Sequence, residues 1–178
     1  HLYDAVDVAA NAKNVPMISY VGELDPKLPQ YRLMADALKK ENAPFDEIIA
    51  AKTEHRYEPK SLQSIIAKMA PYKGEPNGDV HFVTYTLRYA RCKWMTFEGL
   101  ERHWRRSELH GAITGDKIVV TPRNISALRI SPADIGWGRS RSLVIDGQAI
   151  RPPVTTVRPG IAFVKRDGHW QVGAASGR

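Results

Sequence analysis

Two residue types that together can move a proton stand 30 positions apart near the start of this 178-residue chain: the carboxylate of Asp25 and the imidazole of His55. A carboxylate that accepts from an imidazole Nδ1–H fixes the ring's tautomer and stabilises the imidazolium, leaving Nε2 to take a proton from a nucleophile. Spacing alone favours a plainer account, a helix-capping Asp and a surface His. Glu54, beside His55, reads as a solvated neighbour. No Gly-x-Ser-x-Gly elbow occurs; the nearest stretch, Gly138-Arg139-Ser140-Arg141-Ser142, lacks the second glycine and a preceding buried strand. His81, His103 and His110 are joined by no Cys or carboxylate at ligand spacing, so no metal is assigned, and the chemistry sketched for Asp25 and His55 calls for no organic cofactor. The single cysteine, Cys92, can form no internal disulfide and reads as a packed thiol.

The elements that must position Asp25 and His55 are legible in the apolar pattern. Val15 to Val21 is a short run rich in β-branched and aromatic residues, closed by Gly22, and predicts a buried strand that delivers Asp25. Tyr31, Met34, Ala35 and Leu38 follow at helical spacing in a segment that Asn42 and Pro44 would stop. Phe45 to Ala51 predicts a second buried strand, which delivers His55. Leu62, Ile65, Ile66 and Met69 then repeat the helical spacing between Pro59 and Pro71. Strand, helix, strand, helix implies a parallel sheet, whose functional groups lie on loops leaving the carboxyl ends of strands.

Asn14-Val15-Pro16 before the first strand, Gly22-Glu23-Leu24-Asp25 after it, the helix Tyr31 to Lys40, Thr53-Glu54-His55-Arg56-Tyr57 and the last helix together resemble the C-terminal part of the prolyl oligopeptidase-like serine peptidases, members of the α/β-hydrolase superfamily. The resemblance covers roughly residues 2 to 70. It implies a C-terminal portion of an α/β-hydrolase sheet, with Asp25 and His55 as the second and third members of a Ser-Asp-His order along the chain. It also implies an upstream segment carrying the serine, a peptide or ester substrate, and acyl transfer to water. With neither nucleophile nor oxyanion hole between residues 1 and 178, the chain alone is expected to be inactive. Its start at His1, without Met, reads as that of a fragment.

Residues 79 to 178 read differently. Asp79 to Tyr89 alternates as one long strand, and short apolar runs follow at Lys93, Glu108, Lys117, Ile125, Leu143, Ala149, Ile161 and Trp170. Gly115-Asp116, Asp146-Gly147 and Asp167-Gly168 are hairpin signals between them. Glu98 to Arg106 is the one candidate helix. This spacing predicts a β-sandwich-like accessory domain. The expected fold class is therefore α/β followed by all-β, with residues 1–73 as the peptidase part, 74–78 as linker and 79–178 as the β part.

Charge follows the same division. Residues 1 to 73 hold ten basic and ten acidic residues, whereas 74 to 178 hold 16 and 9, so the formal +7 belongs to the second part. Its Arg88, Arg91, Lys93, Arg102, Arg105, Arg106, Arg123, Arg129, Arg139 and Arg141, interleaved with Trp94, Trp104 and Trp137, could hold phosphates and stack bases or sugars. A protein interface explains them with less, because Arg and Trp are preferred anchors there, and nucleic acid is the less favoured reading. The second functional hypothesis is a non-catalytic binding protein with a degenerate hydrolase scaffold, whose basic β part holds a polyanion, a carbohydrate or a protein. An unpaired edge on a half-sheet would call for cover by the β part or by a second copy. Composition excludes a disordered or collagen-like chain, and no apolar run approaches the length of a membrane span. The compartment is not legible.

Overall fold

The computed structural model describes residues 4–74, 78–135, 142–151 and 160–174. By its contacts the chain divides into two compact units, His1–Gly74 and Glu75–Arg178.

The first unit opens with a kinked 3-10 segment, Ala5–Asn14, and continues through β1 (Ile18–Gly22), α1 (Leu28–Lys40), β2 (Asp46–Ala50) and α2 (Pro59–Met69). β1 and β2 are parallel and in register from Ile18 opposite Asp46 to Gly22 opposite Ala50. Pro29 fits the first turn of α1, where its missing N–H is not needed. Asn42, at φ 53°, ends that helix by turning Ala43 N–H back to the Leu38 carbonyl at 2.9 Å. The stripe read from spacing places Ala35 and Leu38 inside, and Leu38 packs in a small core with Ala9 and Ala43, flanked by Met17, Met34 and Phe45. The stripe of α2 stays open, with Leu62, Ile66 and Met69 exposed.

The second unit holds β3 (Val80–Thr84), β4 (Arg91–Cys92), β5 (Met95–Leu100), β6 (Ser107–Thr114), β7 (Lys117–Arg123), β8 (Ile125–Ile130), β9 (Ser142–Ile145), β10 (Gln148–Ile150), β11 (Ile161–Arg166) and β12 (His169–Val172). They form two five-stranded sheets, in the orders β10-β9-β7-β6-β3 and β12-β11-β8-β5-β4. All their pairings are antiparallel except β7 with β9. Residues of both sheets make one core: Val80, Leu109, Ile118 and Leu143 from the first, Met95, Leu128, Ile130 and Phe163 from the second. Asp146-Gly147 and Asp167-Gly168 close two of the hairpins with positive φ at both residues, the backbone that a two-residue turn needs.

Three expectations are corrected. The fold class is not an α/β-hydrolase portion followed by a β domain: the described residues are 40% strand and 26% helix, a predominantly β chain. The strand–helix alternation of the first unit exists, but among the described residues its parallel sheet has two strands, β2 is largely exposed before Ala50 instead of buried, and the residues before β1 are wound into a 3-10 segment instead of another strand. The long strand expected over Asp79–Tyr89 stops at Thr84, where the Thr84 hydroxyl donates to the Thr86 carbonyl and Thr86 caps a short 3-10 turn, Leu87–Tyr89. The helix expected over Glu98–Arg106 is absent. Gly99 and Leu100 continue β5 opposite Ala127 and Ile125, and Asn124 then holds the following loop through the backbone of Arg102. The linker residues 75–77 and the Gly138–Arg141 stretch, with Trp137, lie outside the described residues.

Candidate functional site

Asp25 and His55 meet. β1 ends at Gly22, and the turn that follows is closed by Asp25 N–H donating to the Gly22 carbonyl at 3.1 Å. Asp25 is buried there, its side chain 8% exposed, and its Oδ1 accepts the Lys27 amide at 2.8 Å. His55 lies on the loop after β2, with Nδ1 2.8 Å from Asp25 Oδ2. A carboxylate can only accept, so the proton of that contact sits on Nδ1. The Lys27 amide, together with the hydrogen bond and charge of His55, outweighs partial desolvation and holds Asp25 below its ordinary carboxylate value. The His55 ring is 79% exposed, so a group brought from outside this unit can reach it.

Why the two loops converge follows from parallel pairing and from one glycine. Register places Gly22 opposite Ala50, so both chains leave the pair at the same end. Glu23 and Leu24 then donate backbone N–H groups to the carbonyls of Ala50 and Thr53, each at 2.9 Å. The approach is too close for a side chain: a Cβ on Gly22 would lie 2.2 Å from the Thr53 oxygen and 2.4 Å from that of Glu54. Thr53 is buried and ties its hydroxyl to the Ala51 carbonyl. Beyond His55, the Tyr20 hydroxyl of β1 donates to the Arg56 carbonyl at 3.0 Å and accepts the Glu58 amide at 2.9 Å, while its ring lies 4.7 Å from that of Tyr57. Glu58 caps α2, accepting from the amides of Ser61 and Lys60, which lower its pKa in that order.

Sequence reasoning named Asp25 and His55 but not Tyr20, the Lys27 amide or the closeness of Gly22 to the second loop. The only available signal for Tyr20 was a hydroxyl-bearing residue in the middle of an apolar strand. Glu54 is exposed and engages Arg56 through its backbone carbonyl.

The residues singled out in the second unit are dispersed. His81 and His110 are cross-strand partners with rings stacked at 4.3 Å, and His103 lies on the exposed loop after β5. Among the described residues no three His, Cys, Asp or Glu side chains form a group that could hold a metal. Cys92 is partly buried, which pushes its thiol up. Trp94 belongs to the core and donates its indole N–H to the Gly78 carbonyl, so it cannot serve as a surface platform, whereas Trp104 is exposed. Of the arginines, Arg91, Arg106 and Arg129 pair with Asp134, Glu108 and Glu98. Arg129, 22% exposed, is the most enclosed of the three, whereas Arg91 is 69% exposed.

Compared with protein-family models, with curated proteins and with solved structures, the chain finds no match.

Proposed function

We propose that Asp25 and His55 are the orienting carboxylate and the general base of a Ser-His-Asp acyl-transfer hydrolase, acting on a peptide or ester carbonyl. The serine and the oxyanion-hole donors come, in this reading, from polypeptide outside residues 1–178. The observation that carries it is the 2.8 Å contact between a buried, ionised Asp25 and the Nδ1 of an exposed His55. Such a pair presents Nε2 unprotonated to a hydroxyl, which is what a general base needs. As the serine oxygen attacks the carbonyl carbon, its proton passes to Nε2. The imidazolium, stabilised by Asp25, then protonates the leaving amine or alkoxide, and water repeats the sequence on the acyl-enzyme. The pair supplies neither nucleophile nor oxyanion donors, so the 178 residues alone are expected to show no triad-dependent ester turnover.

The test is a fluorophosphonate probe, which phosphonylates an activated serine, applied to the native polypeptide that carries these residues. Labelling at a serine outside residues 1–178, lost in His55→Ala, is expected. Labelling that His55→Ala leaves intact would overturn the assignment.

A further inference from the structure

We infer that Tyr20 is a positioning residue for His55, its hydroxyl acting as a clasp that closes the His55 loop onto β1. The loop is tethered on both sides of the imidazole. Before it, the Leu24 amide holds the Thr53 carbonyl at 2.9 Å, with Gly22 packed directly against Thr53 and Glu54. After it, one oxygen atom does the work of two groups: Tyr20 Oη donates to the carbonyl of Arg56 and accepts from the amide of Glu58. Only a hydroxyl can give and take at one atom, which is why no apolar residue of the same shape would serve. Tyr20, Gly22 and Asp25 all belong to β1 and the turn that ends it. The element that carries the orienting carboxylate therefore also fixes the loop that carries the imidazole.

The two devices have separate effects. Asp25 selects the Nδ1-protonated tautomer whenever the ring is beside it, while Tyr20 determines how much of the time the ring is there. Without the hydroxyl, the Arg56 carbonyl and Glu58 amide turn to water, and the 55–58 segment loses its tether after His55. A ring 79% exposed has few other contacts to hold it.

The clasp is tested in the 178-residue chain by ring-nitrogen NMR of His55 at pH 9, where an ordinary imidazole is neutral. In the unmodified chain Nδ1 should carry the proton. Tyr20→Phe keeps the ring and removes the hydroxyl; it should move the His55 nitrogens toward the mixed-tautomer shifts of Asp25→Asn. Tyr57→Leu removes the neighbouring ring and keeps the hydroxyl, and it should leave the His55 nitrogens where they are. Wild-type nitrogen shifts in Tyr20→Phe would overturn the inference. Should Tyr20→Phe fail to fold, the Glu58 amide of the unmodified chain decides: protection from hydrogen exchange supports the clasp, and exchange at the rate of an unstructured peptide refutes it. The catalytic consequence rests on the function proposed above. In the native polypeptide Tyr20→Phe should lower kcat several-fold with KM unchanged. A tautomer shift without any change in turnover would leave the clasp standing and remove the hydrolase reading.

Discussion

The Lys27 amide and the His55 ring both favour the charged form of Asp25, which fixes the sign of its pH dependence. A carboxylate whose folded pKa is lowered contributes stability that is fully present above its unfolded value and is lost as pH falls through the folded one. With an ordinary aspartate near 3.9, the difference in stability between the unmodified chain and Asp25→Asn should shrink as pH falls below about 4. Urea unfolding at a series of pH values below about 5 measures it, and a difference that grew as pH fell through that range would contradict the ionised Asp25 on which the proposed mechanism depends. In the native polypeptide Asp25→Asn should lower turnover by roughly 10⁴-fold, because an amide does not hold the same tautomer. His55→Ala should cost at least as much, since the members of such a constellation act as a unit. Steady-state kinetics on a small ester substrate decides both.

At the scale of elements, the candidate site depends on two loops leaving a parallel pair at one end, and Gly22 is where that arrangement is most exposed to change. Gly22→Ala would drive a Cβ into the Thr53 and Glu54 carbonyls, which are backbone and cannot swing aside. A destabilisation of about 1–3 kcal/mol is expected, the usual cost of overpacking, together with displacement of His55 from Asp25. Chemical denaturation and the His55 ring-nitrogen shifts would register the two effects. Glu58→Ala removes the acceptor of the Lys60 and Ser61 amides and should fray the first turn of α2, seen as faster hydrogen exchange at those two amides. These elements were legible because each carries its own period. β1, α1, β2 and α2 follow from apolar spacing and from Pro and Asn stops, and the loops bearing Asp25 and His55 follow from strand order. The extent of the sheet was not legible. A local pattern states that two strands alternate with helices, and it cannot state how many strands lie beside them; that expectation came from the resemblance. The helix expected at Glu98–Arg106 failed for a similar reason. The segment has few turn-forming residues of its own, and its course is set by Asn124, a residue distant in sequence and held at φ 58°.

Across the whole molecule the two units differ in what holds them. Among the described residues the second joins ten strands around Trp94, Met95, Phe97, Leu128, Phe163 and Trp170, each at most 2% exposed. All four tryptophans of the chain lie in it, so indole fluorescence reports that unit alone. Phe163→Ala, at a fully buried position, should lower the stability read from fluorescence by about 3–5 kcal/mol, through lost transfer energy and the cavity left behind. The first unit has a parallel pair of strands and a core cluster whose buried members are Ala9, Leu38 and Ala43. A two-stranded sheet is marginal in water without further strands or a packed helix, and small side chains bury little apolar area. The apolar stripe of α2 is open instead of packed. Amide protection should therefore be graded within the one chain. The central strands β7 and β8, each flanked by paired strands on both sides, should exchange slowest, and β1 and β2 far faster. Native-state hydrogen exchange followed residue by residue measures this directly. Protection of β1 and β2 equal to that of β7 and β8 would mean that something other than the contacts within the first unit holds the strands that carry Asp25 and His55.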